Sequence, residues 1–214
     1  MPRADFEKNL QQVQDDIVKL SSMVEKSISK SVEALKARDL DLSKQVIEED
    51  DAIDRYQESI EELCIEMIAL EAPMAGDLRV IVTAMMVASE LERMGDYAEG
   101  IAKLSLTMGD LPPLKPLIDI PRMMERSIHM LGHSIESFIK RDPDLAKVVI
   151  DADDEIDDLY QQIYRELLTY MMADPKTIER ATYLLWVSHD LERVADRTTN
   201  IAERVIYLVT GELP

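Results

Sequence analysis

Phe6, Leu10, Val13, Ile17, Leu20, Val24, Ile28, Val32 and Leu35 recur at three- and four-residue spacing, the period of a helix that buries one stripe. They predict a first helix of about nine turns. Arg38-Asp39-Leu40-Asp41 interrupts it and supplies aspartates that can cap the next one. The same periodicity predicts a second helix from about Leu42 to Leu70, a short turn at Pro73 and Gly76, and a third helix from about Asp77 to Met108. Gly109, Pro112, Pro113, Pro116 and Pro121 then break the pattern. Beyond them Met124, Ile128, Leu131, Ile135 and Phe138 mark a fourth helix. Asp142-Pro143 opens a fifth and Asp174-Pro175 a sixth that ends near Gly211, each as a capping aspartate followed by proline at the first helical position.

The second half repeats the first. Offset by 103, Arg38 to Asp54 aligns with Arg141 to Asp157 with eleven identities in seventeen positions. Past the turn, which is three residues shorter in the second copy, the offset becomes 100 and Leu91, Glu92, Arg93, Asp96, Ile101 and Ala102 find identical partners at 191, 192, 193, 196, 201 and 202. Such a duplication predicts an all-α fold of two tandem three-helix bundles. Short connections make neighbouring helices antiparallel. The expected units are 1–110 and 122–214, joined by a Pro-rich linker at 111–121.

The repeat carries four acidic pairs, each at i,i+4. Asp50 with Asp54 and Glu92 with Asp96 lie in the first half, Asp153 with Asp157 and Glu192 with Asp196 in the second. Like charges at that spacing share a helix face and destabilise it on their own. With Leu91 as the origin, Gly95, Ala98 and Ala102 fall within about 40°, and Glu99, Glu92 and Asp96 near about 80°, 100° and 140°. The acids therefore flank the apolar stripe, at an edge that can face a neighbouring helix. If the pairs of one half meet, four carboxylates converge on an oxygen-donor site for a hard cation. Glu99 can add a donor in the first half, whereas Thr199 stands in its place in the second. The competing reading is a solvated acidic surface neutralised by Arg93 and Arg193.

Composition narrows the function. A net charge of −19 over 214 residues excludes a nucleic-acid backbone as partner and suits cations or a basic protein patch. With Cys64 as the lone cysteine there is no internal disulfide, and the expectation is a small buried residue in a reducing, cytoplasmic compartment. The first eight residues lack the apolar core of a leader, and Val80 to Ser89, uncharged, is too short to span a bilayer. Membrane contact is expected only through partners. His129 and His133, at i,i+4, have Lys26 and Lys30 as their first-half counterparts and read as exposed surface residues. Ser188-His189-Asp190 is no triad, because helix neighbours point in different directions. The thirteen methionines read mainly as core filler, and Trp186 as a buried residue of the sixth helix.

Asp77-Leu78-Arg79, Glu90-Leu91-Glu92-Arg93-Met94-Gly95-Asp96-Tyr97-Ala98 and the second copy from Asp190 through Asp196 to Asn200-Ile201-Ala202-Glu203 resemble the PhoU family. The resemblance spans nearly the whole chain. It implies metal clusters on Asp50, Asp54, Glu92, Asp96, Asp153, Asp157, Glu192 and Asp196, with iron foremost and Mg, Mn or Zn open. It also implies a regulator that damps the phosphate-starvation response by acting with the ATPase of the phosphate ABC transporter and with a sensor histidine kinase, and it leaves a homodimer open. Gly100 against Asn200 and Arg79 against Glu179 depart from the repeated pattern. Two rivals stand beside this reading: a carboxylate di-metal helical-bundle enzyme and a metal-free acidic adaptor. Ferritin-like enzymes use Glu-x-x-His pairs, and His129 follows Glu125 one position too late to form one.

Overall fold

In the computed structural model the chain is described over residues 3–212; residues 1–2 and 213–214, the outer ends of the two predicted units, lie outside that range. Six helices follow in order: α1 (Arg3–Ala37), α2 (Leu40–Glu71), α3 (Gly76–Met108), α4 (Asp119–Lys140), α5 (Pro143–Ala173) and α6 (Ile178–Thr210). The periodic stripe of α1 is buried as its spacing requires: Val13, Ile17, Leu20, Val24 and Ile28 are inaccessible to solvent. α1, α2 and α3 pack on one another, as do α4, α5 and α6, and the two sets meet along α3 with α6 and α1 with α4.

The duplication extends to backbone detail. Arg38 and Arg141, equivalent in the repeat, both adopt left-handed conformations after α1 and α4, with φ of 57° and 53°. Each turn is closed by a six-to-one bond, from Asp39 N–H to the Ala34 carbonyl and from Asp142 N–H to the Ser137 carbonyl, both 2.9 Å. Asp39 and Asp142 then cap α2 and α5 by accepting from the N–H groups two and three residues on. The Asp174-Pro175 signal opens less than expected. It starts a single 3-10 turn, Pro175–Thr177, and α6 begins only at Ile178.

α4 begins at Asp119, so Pro121 lies in its first turn, where a missing N–H costs nothing. The segment before it is pinned to both halves: Arg38, between α1 and α2, donates to the Asp110 carbonyl at 3.4 Å. Buried Lys115 is ion-paired with Glu166 of α5, and Arg180 of α6 donates to the Pro112 carbonyl at 2.9 Å. At the other end of the molecule Arg79 of α3 donates to the Leu208 carbonyl of α6 at 3.4 Å and lies over the Tyr207 ring. The spatial counterpart of Arg79 is therefore Arg180, one residue beyond the aligned Glu179. Each half's third helix begins with an arginine that clamps the chain end of the other half.

One sequence expectation fails. Trp186 is 52% exposed, because it lies about 140° round α6 from the inward-facing Leu191; its ring contact is Tyr183, 5.7 Å between centroids. The methionines are mostly core filler, as expected: Met67, Met94, Met123 and Met124 are buried, whereas Met74, in the turn between α2 and α3, and Met172, at the end of α5, are 81% and 78% exposed. Cys64 is buried as expected, and burial pushes its thiol up to about 12.

Left-handed non-glycine residues carry about 1 kcal/mol of backbone strain, offset in part by glycine's larger entropy when unfolded. Arg141→Gly should therefore raise the stability by about 0.5 kcal/mol, read as a higher urea midpoint at unchanged slope; an unchanged or lower midpoint would show that the αL strain is relieved elsewhere.

Candidate metal centre

α2 and α3 approach each other closely at Gly95. A Cβ there would stand 3.1 Å from Ile53 Cγ2 and 3.2 Å from Asp50 Oδ1, so glycine lets α2 bring Asp50 against the backbone of α3. Asp50 is only 7% exposed. Its Oδ1, like that of Asp54, is buried without any hydrogen-bond partner. Unpaired buried carboxylate oxygen is costly unless the group is protonated or meets a cation. The geometry offers a cation: Asp50, Asp54 and Asp96 each present an oxygen within 4.8 Å of the others. Two ligands on opposite sides of a calcium-sized ion are about 4.8 Å apart, and sub-ångström closure would suit smaller ions. The donors are all oxygen, so the set fits a hard cation.

The electrostatics agree with the geometry. Burial first, then the charges of Asp54, Glu99 and Asp96, push Asp50 up to about 7. Asp54, Glu92 and Asp96 are all raised, in each case by burial first and neighbouring carboxylates next. Glu92 stands outside the three-oxygen set. Glu99, considered as an extra donor, is paired with Lys103 at 2.5 Å on the same helix.

The second half places the same residue types differently. Asp153 is pushed up to about 6 by burial and then by Asp157 and Asp196, and Asp157 is raised by burial and Asp196. Two of the four acids already have partners: Arg193 Nη1 donates to Asp196 at 2.8 Å, and His189 Nδ1 lies 3.0 Å from Glu192. Among the described residues only the first half gathers three donor atoms within 4.8 Å. His129 and His133 stack edge to face on α4 at 4.1 Å, His129 exposed and His133 half-buried, and they do not join either acidic set.

Between the two grooves runs a seam that the sequence did not point to. Glu90 of α3 accepts from Arg197 and Asn200 of α6, both at 3.3 Å. Its counterpart Asp190 faces Gly100 instead, 3.2 Å from a Cβ built there, and burial pushes it up to about 6. Gly100 and Asn200 are themselves counterparts, so an approximate twofold exchanges α3 and α6, and one of its two contacts has lost its donors. The Gly100/Asn200 departure was the visible signal for it.

A duplicated all-helical protein with carboxylate-lined grooves between α2 and α3 and between α5 and α6 is thus defined. The family model described as PhoU domain matches it twice, over residues 17–105 and 120–205. The chain belongs to the PhoU family. It is 44% identical over 206 residues to the phosphate-specific transport system accessory protein PhoU homolog of Aquifex aeolicus, covering 96% of this chain and 93% of that one. To the homolog of the same description from Clostridium acetobutylicum it is 36% identical, covering 99% and 97%. The crystal structure of PhoU from Pseudomonas aeruginosa superposes with a TM-score of 0.91 at 34% identity, over 97% of this chain and all of that one. The phosphate transport system regulatory protein PhoU from Streptococcus pneumoniae gives 0.90 at 32% identity, over 98% and 99%.

The raised carboxyls set a pH dependence. Unfolded, Asp50 titrates near its ordinary value of 3.8; folded, near about 7. The folded state therefore binds more protons between these values, and stability declines as pH rises through that window. In chelator, the melting temperature should fall from pH 5 to pH 8, and Asp50→Asn should lessen the slope. A melting temperature that rises over that range would contradict the buried, unpaired state of Asp50.

Proposed function

We propose that this chain is a cytoplasmic, non-enzymatic regulator of phosphate uptake, in which bound cations hold the acidic grooves in a form that partners recognise. Asp50, Asp54, Glu92 and Asp96 are the proposed oxygen donors of the first half, with Asp153, Asp157, Glu192 and Asp196 as their counterparts. Iron, manganese, magnesium or zinc could serve. The observation that carries this reading is the buried Asp50 Oδ1 with no donor, gathered with Asp54 of its own helix and Asp96 of α3. A cation there supplies the missing positive charge and binds the folded state alone, stabilising it by mass action.

Association with a phosphate transport system is supported by the relatives, which are described as accessory proteins of the phosphate-specific transport system. We place the transporter's ATPase and a sensor histidine kinase opposite the acidic faces, with repression of the starvation response as the output and contact with the membrane only through those partners. No helix among the described residues is long and apolar enough to cross a membrane. A chain of net charge −19 favours basic partner surfaces. Self-association to a homodimer is compatible with this role. The metal-free adaptor draws support from Arg193, which neutralises Asp196 from within the second groove, and from His189, which hydrogen-bonds Glu192 there.

The test is genetic and chemical together. Alanine at all eight acids, expressed in place of the native chain, should leave a phosphate-starvation reporter active in high phosphate and should abolish the metal signal in X-ray fluorescence of the purified protein. Intact reporter control by a folded, metal-free variant would sink the metal part and leave the adaptor.

A further inference from the structure

The two grooves share their acids but not their cations, and the difference can be traced to one exchange across the seam. Position 97 is tyrosine and its counterpart 197 is arginine. The Tyr97 hydroxyl, on α3, accepts from Arg193 Nε at 3.5 Å while Arg193 Nη1 holds Asp196 at 2.8 Å. The tyrosine thus helps to fix Arg193 over the second groove. Arg93 has Arg197, not tyrosine, as the counterpart of that support, and Arg197 occupies Glu90. Arg93 turns to Glu90 as well, at 3.9 Å, and makes no ion pair with Asp96. His189 adds a second internal partner, to Glu192, where the first half has Ser89. The outcome is one groove with a nine-tenths-buried, donorless Asp50 and three converging oxygens, on which Lys103 and Arg93 act only from a distance, and one groove in which Arg193 and His189 contact the acids directly.

We infer that the chain binds a hard divalent cation unequally, first and more tightly at Asp50, Asp54 and Asp96, and that Arg193, steadied by Tyr97, acts as an internal counter-cation which, with His189 held against Glu192, keeps the second groove from filling alongside it. This rests on the metal reading above and assigns its order and its control. Arg193 and His189 are positioning residues here: they act on the carboxylates and not on the ion. A cation entering the second groove must displace the Arg193–Asp196 ion pair and the His189–Glu192 hydrogen bond, each of modest strength when partly exposed, which together amount to about a tenfold loss of affinity.

Manganese titrated into the full-length, chelator-stripped protein tests this, with free Mn(II) followed by its electron paramagnetic resonance signal and heat by calorimetry. The expected result is one tight equivalent per chain and a second about tenfold weaker. Asp50→Asn/Asp54→Asn should remove the tight event; Asp153→Asn/Asp157→Asn should leave it in place. Arg193→Gln/His189→Ser should strengthen the second event towards the first, and Tyr97→Phe alone should do so in part. Circular dichroism melts confirm that each near-isosteric variant is folded. Two events of equal affinity, or loss of the tight event on changing Asp153 and Asp157, would overturn the inequality while keeping the metal reading. Absence of binding in every folded sample would overturn both.

Discussion

A carboxylate placed between two packed helices with no donor is the interaction on which the rest of this structure depends. Asp50 is not at a frayed end or in a loop where water could reach it; it is in the interior of α2, a helix of 32 residues. Relief by local fraying would break consecutive backbone bonds, so the molecule must hold it protonated or beside a cation. The long apolar stripes on either side provide the compensating stability. Ile53 of α2 and Leu91 and Met94 of α3 are fully or almost fully buried, and each buried side chain of that size contributes about 1.5–3 kcal/mol. A short bundle could not carry the strain of four repelling acids. A pair of three-helix bundles that also pack on each other can.

Gly95 shows how local geometry and charge are coupled. Without a side chain there, α2 comes close enough that Asp50 sits against the α3 backbone, out of water; the second half has Ala195, fully buried, in the same place. The extra methyl agrees with the looser burial of Asp153, which is partly buried where Asp50 is buried. One methylene-scale difference between helices thus changes how strongly a carboxylate is desolvated, since core packing responds to volume changes of that size.

Much of the fold was legible because it rests on local rules. The 3.6-residue stripe of α1, the Asp39 and Asp142 caps and the six-helix order all follow from spacing and capping chemistry that a chain carries in its own residues. The eight acids were legible through repetition. Their unequal surroundings were not, since the direction of Arg93 and of Arg193 is set by Tyr97 and Arg197, and the latter pair acts across the seam between halves. The Arg79 and Arg180 clamps escaped for a similar reason: alignment pairs Arg79 with Glu179, and only the fold reveals that the next residue serves. Trp186 was misread from hydrophobicity alone, although its angle from Leu191 placed it outside.

Duplication explains why the inequality could arise without loss of the fold. Two copies of one bundle, related by a twofold between α3 and α6, begin with identical contacts, so each seam residue appears twice in equivalent settings. Changing one copy leaves the other to maintain the interface. Glu90 keeps Arg197 and Asn200, whereas Asp190 faces Gly100, and the seam still closes over a buried core that includes Leu91, Ala98, Leu191 and Ala195. The polar contacts are therefore free to diverge because apolar packing carries the association of the halves. That freedom is what allows one groove to keep an acid with no hydrogen-bond donor while its twin pairs directly with Arg193, and it turns a symmetric scaffold into two chemically distinct surfaces.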